Sequence, residues 1–244
     1  MKMLVFSAHS ADFCSRSGGT IIKHVRKGDE VRIVSLSFGE RSESGTLYTE
    51  GSTPSLEEVR AVRREEASRA ASILRADIRF LDWGDLCLNY SAERAKKLAE
   101  QIRAFRPNTV LTHHGPDPVS VDHDTTWRLV TRATQMARVP GLESDYTPVG
   151  PTPLFLFEAT VPLTDLEGFN PDFYVDITDV WEVKLEALKA FHRGQDFLPR
   201  YYTHMARHRG FQARALSGRS EIEYAEAFER TRPWVGGHLP LNEL

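Results

Sequence analysis

The chain has 244 residues, of which 41% are hydrophobic and 27% charged, with a formal net charge of −3. This is the balance of an ordinary globular domain. Without a basic stripe it argues against nucleic acid or an anionic membrane as partner. Two cysteines, Cys14 and Cys87, cannot build a disulfide framework, and the apolar start MKMLVF is too short for a signal segment or membrane span. A single domain over residues 1–244 in a reducing, cytoplasmic setting is therefore expected.

Residues 3–7 form a short apolar run that predicts a buried strand. A polar loop over 8–17 follows, and Gly18 and Gly19 open a predicted helix over 20–27 with Ile21, Ile22 and Val25 as its apolar stripe. A second strand is expected over 31–36. Residues 38–55 are rich in Gly, Ser, Thr and Glu and read as a long loop, a kind that is often functional. Ser55 and Glu58 have capping-box spacing for a helix over 56–74. A strand over 78–81, a helix over 92–105, a strand over 109–112, a loop over 113–121 and a helix over 124–138 come next. Strands over 154–157 and 173–176 and a helix over 180–192 complete the regular elements. The remainder, 195–244, reads as an aromatic and basic tail that closes the site or an interface, with Trp234 and Leu239 suited to pack on a neighbour. This alternation predicts an α/β fold, a Rossmann-like, mostly parallel doubly wound sheet flanked by helices. Ligands in such folds sit beyond the carboxyl ends of the strands. That directs attention to the loops over 8–17, 38–55 and 113–123.

The first of these loops holds His9 and Asp12, and the third holds His113, His114, Asp117, Asp122 and His123. Two histidines and a carboxylate on loops at one sheet edge suit a catalytic zinc with an open coordination position. Asp122 then suits a partner that orients a ligating imidazole. Taken alone, His9 reads equally well as a histidine satisfied at a strand end. No G-x-S-x-G elbow and no G-x-G-x-x-G turn is present, so a serine hydrolase and a dinucleotide site are not expected.

The stretch LVFSAHSADFCSRSGGTIIKHVRKGDEVRIVSLSFGE resembles the opening of the LmbE/PIG-L family of zinc enzymes: a strand, then AHPDDE, then a Gly-Gly pair. Val121-Asp122-His123 is similar to the family's later Asp-His element. The resemblance implies Zn2+ as cofactor, with His9, Asp12 and His123 as ligands. It also implies a homo-oligomer, since members often form trimers or hexamers. The chain departs from the pattern at Ala11, where the family's deacetylases carry the aspartate that acts as base.

SAHSADF followed by SLSFGERSES is similar to one branch, the 4-oxalomesaconate hydratases, as are Gly194-Gln195 and Tyr201-Tyr202-Thr203. That resemblance implies a hydro-lyase adding water to a small unsaturated oxo-carboxylic acid in aromatic-acid breakdown, with Glu43 as the base. The alternatives are an N-deacetylase or amidohydrolase of the wider family, and a binding protein with a degraded site. A histidine expected after the strand ending in Phe157-Glu158 is missing, the chain reading Ala159-Thr160 there. His113 and His204 are the candidates for that role. Arg16 and Arg41 are candidate clamps for a substrate carboxylate, with ordinary ion pairs as the alternative. Arg200, Arg209 and Arg214 are further cationic candidates. Asp117 reads as turn chemistry, and Tyr201 and Tyr202 as core or interface.

Overall fold

A computed structural model describes residues 1–49, 51–161, 168–233 and 235. Trp234 and Leu239 lie outside the described residues. Strands β1 (Lys2–Ser7), β2 (Glu30–Ser35), β3 (Asp77–Phe80), β4 (Thr109–His113), β5 (Leu154–Phe157), β6 (Phe173–Asp176) and β7 (Ala225–Arg230) form one sheet in the order β3-β2-β1-β4-β5-β7-β6. β1 through β5 are parallel to one another, and β7 runs antiparallel between β5 and β6.

Both faces of the parallel region are covered, so its strands are apolar on both sides. Met3, Val5, Leu111 and Phe157 pack beneath α1 (Asp12–Arg26), α2 (Leu56–Ile73), α5 (Trp181–Lys189) and α6 (Leu198–Ser217). Leu4, Phe6, Val110, Leu154 and Leu156 pack on the opposite face beneath α3 (Ala92–Phe105) and α4 (Val121–Met136). The strand order reverses between β1 and β4: the chain leaves β1 toward β2 and β3, then returns to β4 on the other side. Loops after β1 and β4 therefore diverge and leave a crevice at their carboxyl ends. Among the described residues no helix is long and apolar enough to cross a membrane.

Three elements differ from the sequence reading. α1 begins at Asp12, eight residues before the expected start, and runs through Gly18 and Gly19. Those glycines are packing positions, since a Cβ on Gly19 would lie 2.6 Å from the Ile177 side chain. α4 begins at Val121, three residues early, because the Ser120 hydroxyl accepts the His123 N–H at 3.3 Å and so caps the helix. Asp122 and His123 thus sit on a helical first turn, not in a loop. The expected tail contains the 20-residue helix α6 and strand β7, which lies inside the sheet. Strand β7 has the sequence AEAFER, whose charged residues mask a strand pattern.

Glu226 of β7 explains how glycines survive inside α1. Its carboxylate accepts the Gly19 N–H at 2.8 Å, the Thr20 N–H at 2.7 Å, the Thr20 hydroxyl at 2.6 Å and the Lys184 ammonium at 2.7 Å. Both charged side chains are almost fully enclosed, at 2% and 3% exposure. Replacing Glu226 by alanine strands a buried cation and several donors. A loss of about 3–5 kcal/mol and a Tm lower by roughly 10 °C are expected from a thermal melt. A melt within about 2 °C of the parent would remove this pair from the account of the fold.

The two thiols are free and differ in setting: Cys14 is buried in α1 and Cys87 is exposed. Burial pushes the Cys14 thiol up to about 12, with Lys184 acting only partly against it. In the folded protein a disulfide reagent near neutral pH should titrate Cys87 alone, and both thiols should react after denaturation. Rapid reaction of both in the native state would contradict the placement of Cys14.

Candidate metal centre

The crevice gathers side chains from the carboxyl ends of four adjacent strands. β1 is followed at once by His9 and Asp12, β2 by the loop carrying Glu43, β3 by Asp85, and β4 by the loop and helix carrying Asp117, Asp122 and His123. Ligand atoms of His9, Asp12, Glu43 and His123 all lie within 4.8 Å of one another. His9 Nδ1 is 3.6 Å from Asp12 Oδ2 and 3.3 Å from Glu43 Oε1. His123 Nε2 is 3.5 Å from Asp12 Oδ1 and 3.8 Å from Glu43 Oε1. A tetrahedral ion with bonds of about 2.1 Å has ligand edges of about 3.4 Å, so these separations are those of side chains around one ion.

The donor chemistry fits a divalent cation as well. His9 Nδ1, His123 Nε2 and Glu43 Oε2 are buried and have no hydrogen-bond partner among the described residues. Leaving such atoms unpaired is costly, and a shared cation satisfies them together. The outer nitrogens are held. His123 Nδ1 is 2.7 Å from Asp117 Oδ2, and His9 Nε2 is 3.3 Å from both Asp122 Oδ2 and Asp85 Oδ1. A carboxylate on the outer nitrogen keeps the proton there and turns the lone pair inward, the arrangement found behind metal-binding imidazoles.

Asp12 is anchored from two sides. Its Oδ2 accepts the His9 N–H at 2.7 Å, and its Oδ1 accepts from Arg16 Nη1 at 2.5 Å. Burial raises its carboxyl, but Arg16, His123 and His113 outweigh that and hold it well below the usual range. Burial likewise opposes ionisation of Glu43, and the neighbouring His9 and His123 overcome it, so Glu43 is lowered too. Burial opposes a charge on His9, yet Glu43, Asp122 and Asp85 raise it well above its ordinary value. His123 is raised by Asp12 and Asp117 against the same burial.

Several expected roles change. Arg16 is buried and makes four hydrogen bonds inside the protein: to Asp12, Ser15 Oγ, the Glu158 carbonyl and Thr160 Oγ1. It positions a candidate ligand, where a substrate clamp was expected. His113 does point into the cluster, stacked 4.1 Å from His123. Burial and the adjacent His123 lower its imidazole to about 3, and its Nε2 accepts the Ala8 N–H at 3.0 Å. A neutral ring with an occupied acceptor has no extra proton to give, so the expected acid role does not suit it. His204 is exposed on α6, and among the described residues no hydrogen bond or ion pair links it to the cluster. Arg41 engages Glu40 at 3.3 Å and the Asp85 carbonyl at 3.0 Å through Nη1, with its side chain 35% exposed at the loop surface. Arg209 instead pairs with buried Glu158.

Asp117 does more than the turn chemistry expected of it, and Asp85 escaped the sequence reading. Asp117 does form a turn, accepting the Val119 and Ser120 N–H groups at 2.8 and 3.1 Å, but its other oxygen holds His123. Asp85 was missed altogether; its signal is Gly84-Asp85 just beyond a strand's carboxyl end. Gln195 contributes at a distance. It accepts from buried Arg63 at 2.6 Å, and Arg63 reaches the Phe38 carbonyl at 3.4 Å, where the Glu43 loop begins. Ala11 is buried in the apolar cluster with Phe13 and Cys14.

Comparison with known proteins places this geometry in context. A family model described as PIG-L, GlcNAc-PI de-N-acetylase, matches residues 4–134. A 4-oxalmesaconate hydratase of Pseudomonas putida is 37% identical over 239 residues, 97% of this chain and 91% of that protein. A diacetylchitobiose deacetylase of Thermococcus kodakarensis is 32% identical over 194 residues, 77% of this chain and 68% of that protein. The crystal structure of GalB, the 4-carboxy-2-hydroxymuconate hydratase of Pseudomonas putida, matches with a TM-score of 0.92 at 38% identity, covering 98% of this chain and 100% of that one.

Proposed function

Because the chain belongs to the PIG-L family, we propose that it is a zinc-dependent hydro-lyase adding water to a carbon–carbon double bond of a small unsaturated oxo-carboxylic acid, such as 4-oxalomesaconate. The observation that carries this reading is an exchange of carboxylates. The position that resembles the deacetylase base is Ala11, a buried methyl group, while Glu43 from another loop sits 3.3 Å from His9 Nδ1. Similarity to a hydratase over 97% of the chain supports the same choice.

His9, Asp12 and His123 would hold the ion, with Glu43 beside it. When bound, the zinc supplies a Lewis acid that polarises a substrate carbonyl and draws charge away from the double bond. The protein does the rest. Arg16 locks Asp12, Asp117 and Asp122 fix the tautomers of the two imidazoles, and Glu43 takes the proton from the attacking water as its hydroxyl bonds to one carbon, a proton added to the neighbouring carbon completing the addition. The lowered Glu43 carboxyl is ionised near neutral pH and so competent to accept that proton. The side of Arg41 directed away from Glu40 and Asp85 is suited to a substrate carboxylate at the mouth.

The test is direct. With the purified zinc form, the absorbance of a conjugated oxo-acid should fall as water adds, and an acetylated amino sugar should release no acetate. Acetate release without hydration would assign the chain to the deacetylase reading, which its 32% identity to a deacetylase keeps as the alternative. Metal analysis below about a tenth of an equivalent would favour a degraded binding site. Assembly of several copies and a cytoplasmic setting belong to the same proposal; two free cysteines suit the latter.

A further inference from the structure

We propose that Asp85 is a positioning residue that ties the metal-binding imidazole of His9 to the loop carrying Glu43, so that one carboxylate sets the spacing between the ion and the proton-accepting oxygen. The inference rests on the hydratase reading for its effect on turnover, but not for its effect on the loop.

Asp85 is fully buried, and every side of it is engaged. Its Oδ1 lies 3.3 Å from His9 Nε2 and 2.8 Å from Ser42 Oγ. Its Oδ2 accepts the Arg41 and Ser42 N–H groups, both at 2.6 Å. The main chain of Asp85 closes the same knot. Its N–H donates to Glu40 Oε1 at 3.2 Å, and its carbonyl accepts from Arg41 Nη1 at 3.0 Å. Residues 40, 41 and 42, directly before Glu43, are thus all held by one aspartate from the β3 loop.

The loop is tucked close enough for this tie to matter. Gly39 has φ of +69°, and a Cβ there would lie 2.9 Å from Glu43 Cβ and 3.3 Å from His9 Cβ. Glu43 N–H closes the turn onto the Gly39 carbonyl at 3.0 Å. Burial raises the Asp85 carboxyl, but His9 and the Ser42 and Arg41 N–H groups outweigh it, so the side chain stays an anion.

Asp122 provides the contrast. It also lies 3.3 Å from His9 Nε2, and it accepts the Leu86 N–H at 2.8 Å, yet among the described residues it makes no hydrogen bond to residues 39–44. Asp122 orients the ring only, whereas Asp85 orients the ring and the base together. His9, Asp85 and Asp122 also form a grouping of a kind that can hold a cation. Their oxygens already receive protein N–H and O–H donors, so they act as acceptors, and one ion per chain is expected.

The experiment compares Asp85→Asn, Asp122→Asn and Ser42→Ala in the full chain. Zinc affinity is read by competition with a chromophoric chelator, and turnover is read at saturating zinc. Both aspartate variants should bind zinc about 10–100-fold more weakly. At saturating zinc Asp122→Asn should recover most of its turnover, while Asp85→Asn should stay down by about 10-fold or more in kcat with KM nearly unchanged. Ser42→Ala removes only the hydroxyl link on the loop side and leaves the Arg41 and Ser42 N–H bonds to Asp85, so it should bind zinc like the parent and lose less in kcat than Asp85→Asn. It also remains informative if Asp85→Asn fails to fold. A substrate-free arm follows hydrogen exchange over residues 40–43. Zinc should slow exchange there in the parent and much less in Ser42→Ala and Asp85→Asn. Equal zinc-induced slowing in all three proteins, or Asp85→Asn matching Asp122→Asn at saturating zinc, overturns the proposal. A parent with no hydratase turnover sinks the functional reading instead and leaves the exchange arm to decide about Asp85. Two zinc ions per chain would also overturn it, by making Asp85 a ligand.

Discussion

Glu43→Gln should lower kcat by about 10²–10⁴-fold while the protein still takes up close to one equivalent of zinc. The amide keeps the size and one acceptor oxygen of the side chain but cannot take a proton from water. His9, Asp12 and His123 remain to hold the ion, and Asp12 stays locked by Arg16 at 2.5 Å. A parallel Ala11→Asp variant, restoring the carboxylate of the deacetylases, should not rescue hydration, because Ala11 lies in the apolar cluster. Turnover by Glu43→Gln within about threefold of the parent would remove Glu43 from the proton transfer. Loss of the metal together with activity would instead make it a ligand.

The second large effect concerns the metal. His123→Ala, or dialysis of the parent against a chelator, should abolish turnover, with zinc restoring activity only to the dialysed parent. The same cluster predicts how uptake depends on pH. Without an ion, His9 and His123 join Arg16 in neutralising Asp12, Glu43 and the outer carboxylates. Both are raised above the ordinary imidazole value, burial notwithstanding. Each must lose its inner proton before a cation binds. Uptake should therefore release protons, and apparent zinc affinity should climb with pH until the raised values are passed. The limiting slope is about two decades per pH unit, one for each imidazole. Calorimetry in buffers of different ionisation enthalpy measures the protons released. An affinity that is flat from about pH 6 to about pH 8 would show that the imidazoles are already unprotonated.

Much of this was written in residue order. The apolar run through Val5, the capping box at Ser55 and Glu58, and the strand over Leu154–Phe157 all appear where local pattern put them. The pairing of His9 with Asp12 was legible because three residues at a strand-to-helix turn bring side chains to one point. α6 and β7 were not legible, since LPRYYTHMARHRGFQARALS carries arginines and histidines through its helical period and AEAFER alternates with charge. Those charges are stabilised by distant partners. Arg209 meets Glu158, and Glu226 meets Lys184 and the backbone of α1.

What residue order alone determined is the set of chemical groups: two imidazoles and a carboxylate just beyond β1 and β4, a glutamate on the loop after β2, and an alanine where the family resemblance implies an acid. Those are properties of residue type and of position beside a strand end, and each is local. Only the tertiary structure decided which groups face one another. The 3-2-1-4 strand order brought four loops to one crevice, assigned Arg16 and Asp85 to holding other residues, and left His204 on the outside. Such roles depend on contacts between residues far apart in the chain, and a contact of that kind has no local pattern to betray it.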